Sequence, residues 1–200
     1  IPSNRYKTAE FLPHKFETKL ILQKVQNPHI YMTPEVMLQI RLFIEYAGTD
    51  EISWLGTVVK EGNNFIIDNV WLVDQEVHGS ETEMTHQGLF DFRKRIRELE
   101  NGFDLLNRMT FWGHYHPHNS TNPSGQDEIQ LKELAEAGFD YFIRGIFTKN
   151  GKAEFTMWVQ ESKCTICDVP WSPINEFNQD IDTAIRKEVS ARLKRKTYAT

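Results

Sequence analysis

The segment Gly113-His114-Tyr115-His116-Pro117-His118, continued by residues 119–123 and then Ser124-Gly125-Gln126-Asp127, decides how this sequence is read. Thr110 to Tyr115 is dominated by β-forming residues and predicts a strand. Gly125 to about Ala137 predicts a helix, with Ser124 at its start. Alternate side chains of a strand share a face, so His114 and His116 would present both imidazoles on one side. Asp127, three residues after Ser124, would stand in the first helical turn and can face back toward the strand end. Two imidazoles and one carboxylate can hold zinc with a fourth position left open for water, the mark of a catalytic rather than a structural site.

Each part also has an ordinary explanation. His-x-His pairs occur on surfaces without metal. Ser124 and Asp127 suit helix capping, with the hydroxyl taking a free backbone N–H and the acid favouring the positive helix end. His118 continues the alternate spacing and would give a three-histidine site, but Pro117 interrupts the strand before it and makes it a loop residue near the site mouth. His78 and His86 fall in a polar segment and are read as exposed.

Outward from this segment, the chain reads as mixed α/β. Lys19 to Val25 alternates as a short strand. Thr33-Pro34 starts a helix that runs to about Ala47, with Val36, Met37, Ile40, Phe43 and Ile44 at helical spacing and Gly48 as its stop. Ile52 to Val59 and Phe65 to Val73 predict a hairpin turned at residues 61–64. Gln75 to His86 is polar and aperiodic and is read as a loop. Leu89, Phe92, Ile96 and Leu99 mark a helix that closes near Asn101-Gly102. Tyr141 to Thr148 and Ala153 to Val159 predict a last hairpin. Beyond Glu161 comes a Cys/Pro/Trp segment, then a helix with Phe177, Ile181, Ile185 and Val189 in one stripe, ending in Arg192, Lys194, Arg195 and Lys196. Those cations suit the negative end of a helix dipole better than a nucleic-acid or membrane patch.

Composition bounds the class. With 200 residues, 40% hydrophobic and 26% charged, the chain is long enough for one core without disulfides. A net charge of -5 and pI near 5.8 argue against a broad nucleic-acid or anionic-lipid footprint. No apolar run approaches the roughly 20 residues that span a bilayer. The sequence starts at Ile1, which leaves a processed or omitted upstream segment open. Cys164 and Cys167 are too few for a secreted disulfide scaffold, so a reducing, cytoplasmic setting is expected. The pair reads as half a zinc ribbon, a redox pair or plain thiols. The His-x-Glu and Pro-Cys-x-x-Cys of zinc deaminases are missing, since Lys163 precedes Cys164.

The run His114-x-His116, seven residues, Ser124, two more and Asp127 resembles the signature of the JAMM, or MPN-plus, zinc metalloproteases, in which Pro117 and Pro123 are also usual. Glu51-Ile52-Ser53-Trp54-Leu55-Gly56 looks like the family's upstream element, whose glutamate activates the zinc water. Glu45 and Glu61 are neighbouring acids with similar claims on sequence alone. The resemblance covers about Met32 to Val159. Tyr115 departs from it, since Ser or Thr is common there, and the flanks of Glu51 are poorer in glycine than usual.

The resemblance implies a central mixed β-sheet flanked by helices, as in cytidine-deaminase-like folds. It implies one catalytic Zn2+ held by His114, His116 and Asp127, with Glu51 as general base and Ser124 supporting the oxyanion. The implied activity is hydrolysis of the bond after the C-terminus of ubiquitin or a ubiquitin-like modifier, a deubiquitinase-like isopeptidase reaction. The alternative is a scaffold of the same fold that binds a partner protein through its C-terminal helix. On this reading residues 1–160 form the catalytic domain, with a core of about 30–160, and residues 161–200 a C-terminal extension carrying a basic amphipathic helix.

Overall fold

Thr33 starts the first helix as its chemistry demands: its Oγ1 accepts the free N–H of Val36 at 3.3 Å, and Pro34 follows where no N–H is needed. The computed structural model describes residues 27–78, 81–174 and 181–195. A short strand β1 (His29–Met32) precedes this helix, α1 (Pro34–Ala47). Gly48, at φ 66°, ends α1 and returns its N–H to Ile44 O. The hairpin β2 (Ile52–Glu61) and β3 (Asn64–Leu72) follows, turned through Gly62 at φ 61°. Then come β4 (Gln75–His78), β5 (Glu81–Met84), α2 (His86–Arg97), α3 (Gly102–Asn107), β6 (Phe111–His116), α4 (Gly125–Ala135), β7 (Tyr141–Thr148) and β8 (Ala153–Val159). The described chain closes with β9 (Cys164–Ile166), β10 (Trp171–Pro173), α5 (Ile181–Arg192) and β11 (Leu193–Arg195).

The architecture is α/β, with a mixed eight-stranded sheet in the order β10-β1-β3-β2-β6-β7-β8-β9. β1 runs parallel to β3 and β10, and β6 parallel to β7, while the other pairs are antiparallel. The sheet curls until its ends approach: Trp171 Nε1 donates to Ala153 O, and the Trp171 ring lies 5.8 Å from that of Phe155. Helices cover both faces. α1 and α5 bury Phe43, Ile185 and Val189 against Trp54, Phe111 and Tyr115. On the other face α2 and α4 bury Phe92, Ile96 and Leu131 against Leu55, Trp112 and Phe142.

Trp54 is wholly buried, and it fits because the strand beside it carries Gly113, where any Cβ would overlap the indole. Burying such a ring removes about 150–250 Å² from water, worth roughly 4–6 kcal/mol as an upper bound. The same glycine fixes how closely β6 lies on β2, and so where the histidines stand.

Several expectations are corrected. Gln75 to His86 is not a loop: β4 and β5 pair as a hairpin, and β11 joins β4 in parallel to make a second sheet of three strands. Charged residues mask the alternation there, and the strand that completes the sheet lies more than 100 residues away in sequence. The basic C-terminal stretch is not one helix, because α5 stops at Arg192 and Leu193 enters β11. Arg192 is engaged within the fold, 3.2 Å from Glu188 and 3.5 Å from Asp74. The short helix α3 was not anticipated. Position 160 falls between β8 and β9 of one sheet, and α5 packs on α1. Lys19 to Val25, Phe177 and Lys196 lie outside the described residues.

Candidate metal centre

β6 is buried along its whole length and its pleat sorts the side chains. Gly113 and Tyr115 face α1, where the Tyr115 hydroxyl donates to Gly48 O at 2.9 Å. Tyr115 therefore points away from the histidines. Trp112, His114 and His116 face the other way, with the two imidazoles 4.7 Å apart and edge to face.

Carboxylates approach from two elements. Glu51, immediately before β2, places Oε2 3.5 Å from His114 Nε2. Asp127, on the first turn of α4, places Oδ1 3.5 Å from His114 Nε2 and Oδ2 3.4 Å from His116 Nε2. Asp127 is held there by a capping box, in which its N–H donates to Ser124 Oγ at 3.1 Å and Ser124 N–H donates to Asp127 Oδ2 at 2.6 Å. Arg144, buried on β7, pairs with Glu128 at 2.9 Å and ties the same turn to the sheet. Capping of the helix and presentation of the acid are thus one arrangement.

Both Nδ1 atoms are occupied on the far side of the rings. His116 Nδ1–H donates to the Ser120 carbonyl at 2.9 Å, and His114 Nδ1 lies 2.9 Å from Ser53 Oγ. A carbonyl can only accept, so His116 carries its proton on Nδ1 and, when neutral, turns the Nε2 lone pair inward. Ser53 is itself fixed by Gln75. Gln75 Oε1 accepts from Ser53 N–H at 2.8 Å and from the Thr82 hydroxyl at 2.8 Å, while Nε2 donates to Ser53 O at 2.7 Å and Val73 O at 3.0 Å.

The electrostatics favour a charged acid. Burial opposes ionisation of Asp127, but contact with His116, the charge of His114 and the Ser124 N–H outweigh it and hold the carboxyl well below the usual range. Burial likewise opposes protonation of His116, and Asp127, the Ser120 carbonyl and the charge of Glu51 outweigh it, raising its pKa.

Ligand atoms of Glu51, His114 and His116 lie within 4.8 Å of one another, a group able to hold a metal ion. Asp127 approaches the same two Nε2 atoms from the helix side, so the histidine pair is common to either set. A small divalent ion bound tetrahedrally at about 2.1 Å separates its ligands by about 3.4 Å. The three observed Nε2–oxygen separations, 3.5, 3.5 and 3.4 Å, match that edge. They are long for hydrogen bonds.

The remaining sequence candidates lie elsewhere. His118 is exposed beyond the end of β6 and outside the cluster. Glu61 sits at the far end of β2 opposite Asn64, and Glu45 is exposed on α1. Cys164 and Cys167 are free and exposed, and they belong to no metal-ligating cluster among the described residues. Ser124 is exposed, with its hydroxyl proton still available while the oxygen caps α4. Ser53, Gln75 and Ser120 were not anticipated. Ser53 was legible only as a neighbour of Glu51 two places along the strand from Leu55, and nothing in the sequence marked Gln75.

The chain matches no family model, and no curated protein matches it. Among solved structures it is similar to the solution structure of protein DSY2949 from Desulfitobacterium hafniense, a structural-genomics target. The two share 16% identity and a TM-score of 0.51, over 76% of this chain and 97% of that one. This likeness bears on the fold alone.

Proposed function

We propose that the chain is a zinc-dependent isopeptidase of the JAMM type, cleaving the bond that follows the C-terminus of ubiquitin or a ubiquitin-like modifier. The observation that carries this reading is that Asp127 lies 3.5 and 3.4 Å from the inward Nε2 atoms of His114 and His116, separations that suit ligands of one tetrahedral ion, with Glu51 beside His114, in the order the JAMM signature requires.

In this reading His114, His116 and Asp127 hold zinc, and Glu51 stays free of it. When bound, the ion supplies Lewis acidity at the scissile carbonyl and lowers the pKa of water toward neutrality. Glu51 accepts the proton of the attacking water and returns it to the leaving amine. Ser124 donates its O–H to the developing oxyanion while its oxygen keeps the cap of α4. The β4–β5 hairpin, anchored beside His114 through Gln75 and Ser53, forms one wall of the groove in which an extended C-terminal tail lies. Metal analysis of the purified protein together with a panel of ubiquitin-like conjugates tests the reading. Bound zinc without cleavage of any glycine-ended conjugate would favour the scaffold alternative.

A further inference from the structure

On the α1 face, separated from the histidines by the sheet, α1, the β7–β8 turn and β10 form a groove of about 610 Å³. Its lining is mostly apolar. Met37, Ile40 and Ile44 follow one another along α1 at helical spacing, Phe147 and Trp171 line it from the sheet, and Ile174 lines it just beyond β10. Met37 and Ile44 are only half-buried and Ile174 is 37% exposed, although each is apolar. Three cations border the same groove: Arg41, Lys149 and Lys152, all exposed. Among the described residues none of them has an acidic partner. The cluster runs against the chain's net charge of -5.

Charge decides what such a groove can take. The chain's own residues 1–26 carry Arg5, Lys7, Lys15, Lys19 and Lys24 against Glu10 and Glu17, a net positive segment that the rim repels. A second copy docked about a two-fold axis would bring two cationic rims together. An added strand is also disfavoured, because β10 stands at the sheet edge with Pro173, which has no N–H to offer. A helix needs no such donor.

We propose that this groove docks a short amphipathic helix of a partner protein, with two or three large apolar side chains flanked by Asp or Glu. The apolar side chains fill the space between α1 and Trp171, and the acids meet Arg41, Lys149 and Lys152. From Met37 to Ile44 α1 rises about 10 Å, so a segment of roughly 8–12 residues spans the groove.

The test is a displayed library of random peptides of about 12 residues, panned against the purified full chain and against its Lys149→Glu/Lys152→Glu variant. The expected result is enrichment of peptides with acids beside apolar residues three and four apart. Their affinity should fall about tenfold or more in the double variant and weaken with added salt. Met37→Lys, a second surface change, should abolish binding as well. Neutral or basic enriched peptides, affinity indifferent to both variants, or no enrichment at all would overturn the proposal. So would recovery of binding only after removal of residues 1–26, a concentration-dependent dimer abolished by Lys149→Glu, or occupancy by a fatty acid in the purified protein. Zinc content should be the same in all variants, which separates this outcome from failure of the isopeptidase reading.

Discussion

Ser53 Oγ lies 2.9 Å from His114 Nδ1, across the β2–β6 ladder in which the two residues are direct partners. That contact orients the ring whose Nε2 faces Glu51 and Asp127, and Gln75 holds both backbone groups of Ser53. The β4–β5 hairpin is thereby connected to the candidate metal centre through side chains rather than through the sheet.

Ser53→Ala should therefore weaken zinc binding by about 10–100-fold while the fold persists, as is typical when a ligand's outer partner is lost. Competition with a chelator measures it. Gln75→Leu should act mainly on stability, since it leaves the Ser53 N–H and C=O buried without partners at about 1–3 kcal/mol each. Denaturant unfolding checks this. Unchanged zinc affinity in Ser53→Ala would show that the contact does not position His114.

His114→Ala, His116→Ala and Asp127→Ala should each lose zinc, whereas His118→Ala should retain it, because His118 is exposed beyond the end of β6. Metal content of the purified variants decides this. Full zinc in Asp127→Ala together with loss in His118→Ala would establish the three-histidine arrangement instead.

Acidity should oppose the metal. His116 must be neutral to bind, and its pKa is raised above the ordinary 6.5, so proton competition starts at a higher pH than for a free imidazole. Zinc affinity should fall steadily as pH drops through that raised value, with Asp127 remaining ionised because its pKa is depressed from 3.8. The metal-free protein should show the opposite slope. Its protonated His116 contributes stability that is fully present below pH 6.5 and lost as pH rises through the raised pKa. The Asp127 contribution is present above 3.8 and lost as pH falls well below it. Melting curves with and without chelator across this range test both signs.

Shortening the β4–β5 hairpin by deleting residues 78–81, while keeping Gln75, Val77 and Thr82, should raise KM or lower kcat/KM for a ubiquitin-like conjugate without reducing zinc content. Unchanged kinetics would take the hairpin out of the groove.

The elements built from local rules were legible in the sequence. Thr33-Pro34 and Ser124-x-x-Asp127 announced helix starts because capping involves only neighbours, and His114-x-His116 announced a shared face because the strand period is two. The pairing of β4 with β11 was not legible, since it joins residues more than 100 positions apart and the strands alternate charged residues. Glu51 could not be told from Glu45 or Glu61 by composition. Only the ladder that sets Ile52 opposite Tyr115 brings its carboxylate to His114. Gln75 was invisible for the same reason: its role depends on a hairpin folding over β2.

Glu51→Gln removes a proton acceptor without removing a histidine or Asp127, and so separates catalysis from metal binding. The variant and the wild-type chain should both hold about one zinc per chain, with the variant losing nearly all cleavage of a ubiquitin-like conjugate, on the order of a hundredfold to ten-thousandfold. Retained cleavage in Glu51→Gln, or a wild-type chain that holds no zinc, would rule out a zinc isopeptidase with Glu51 as its base.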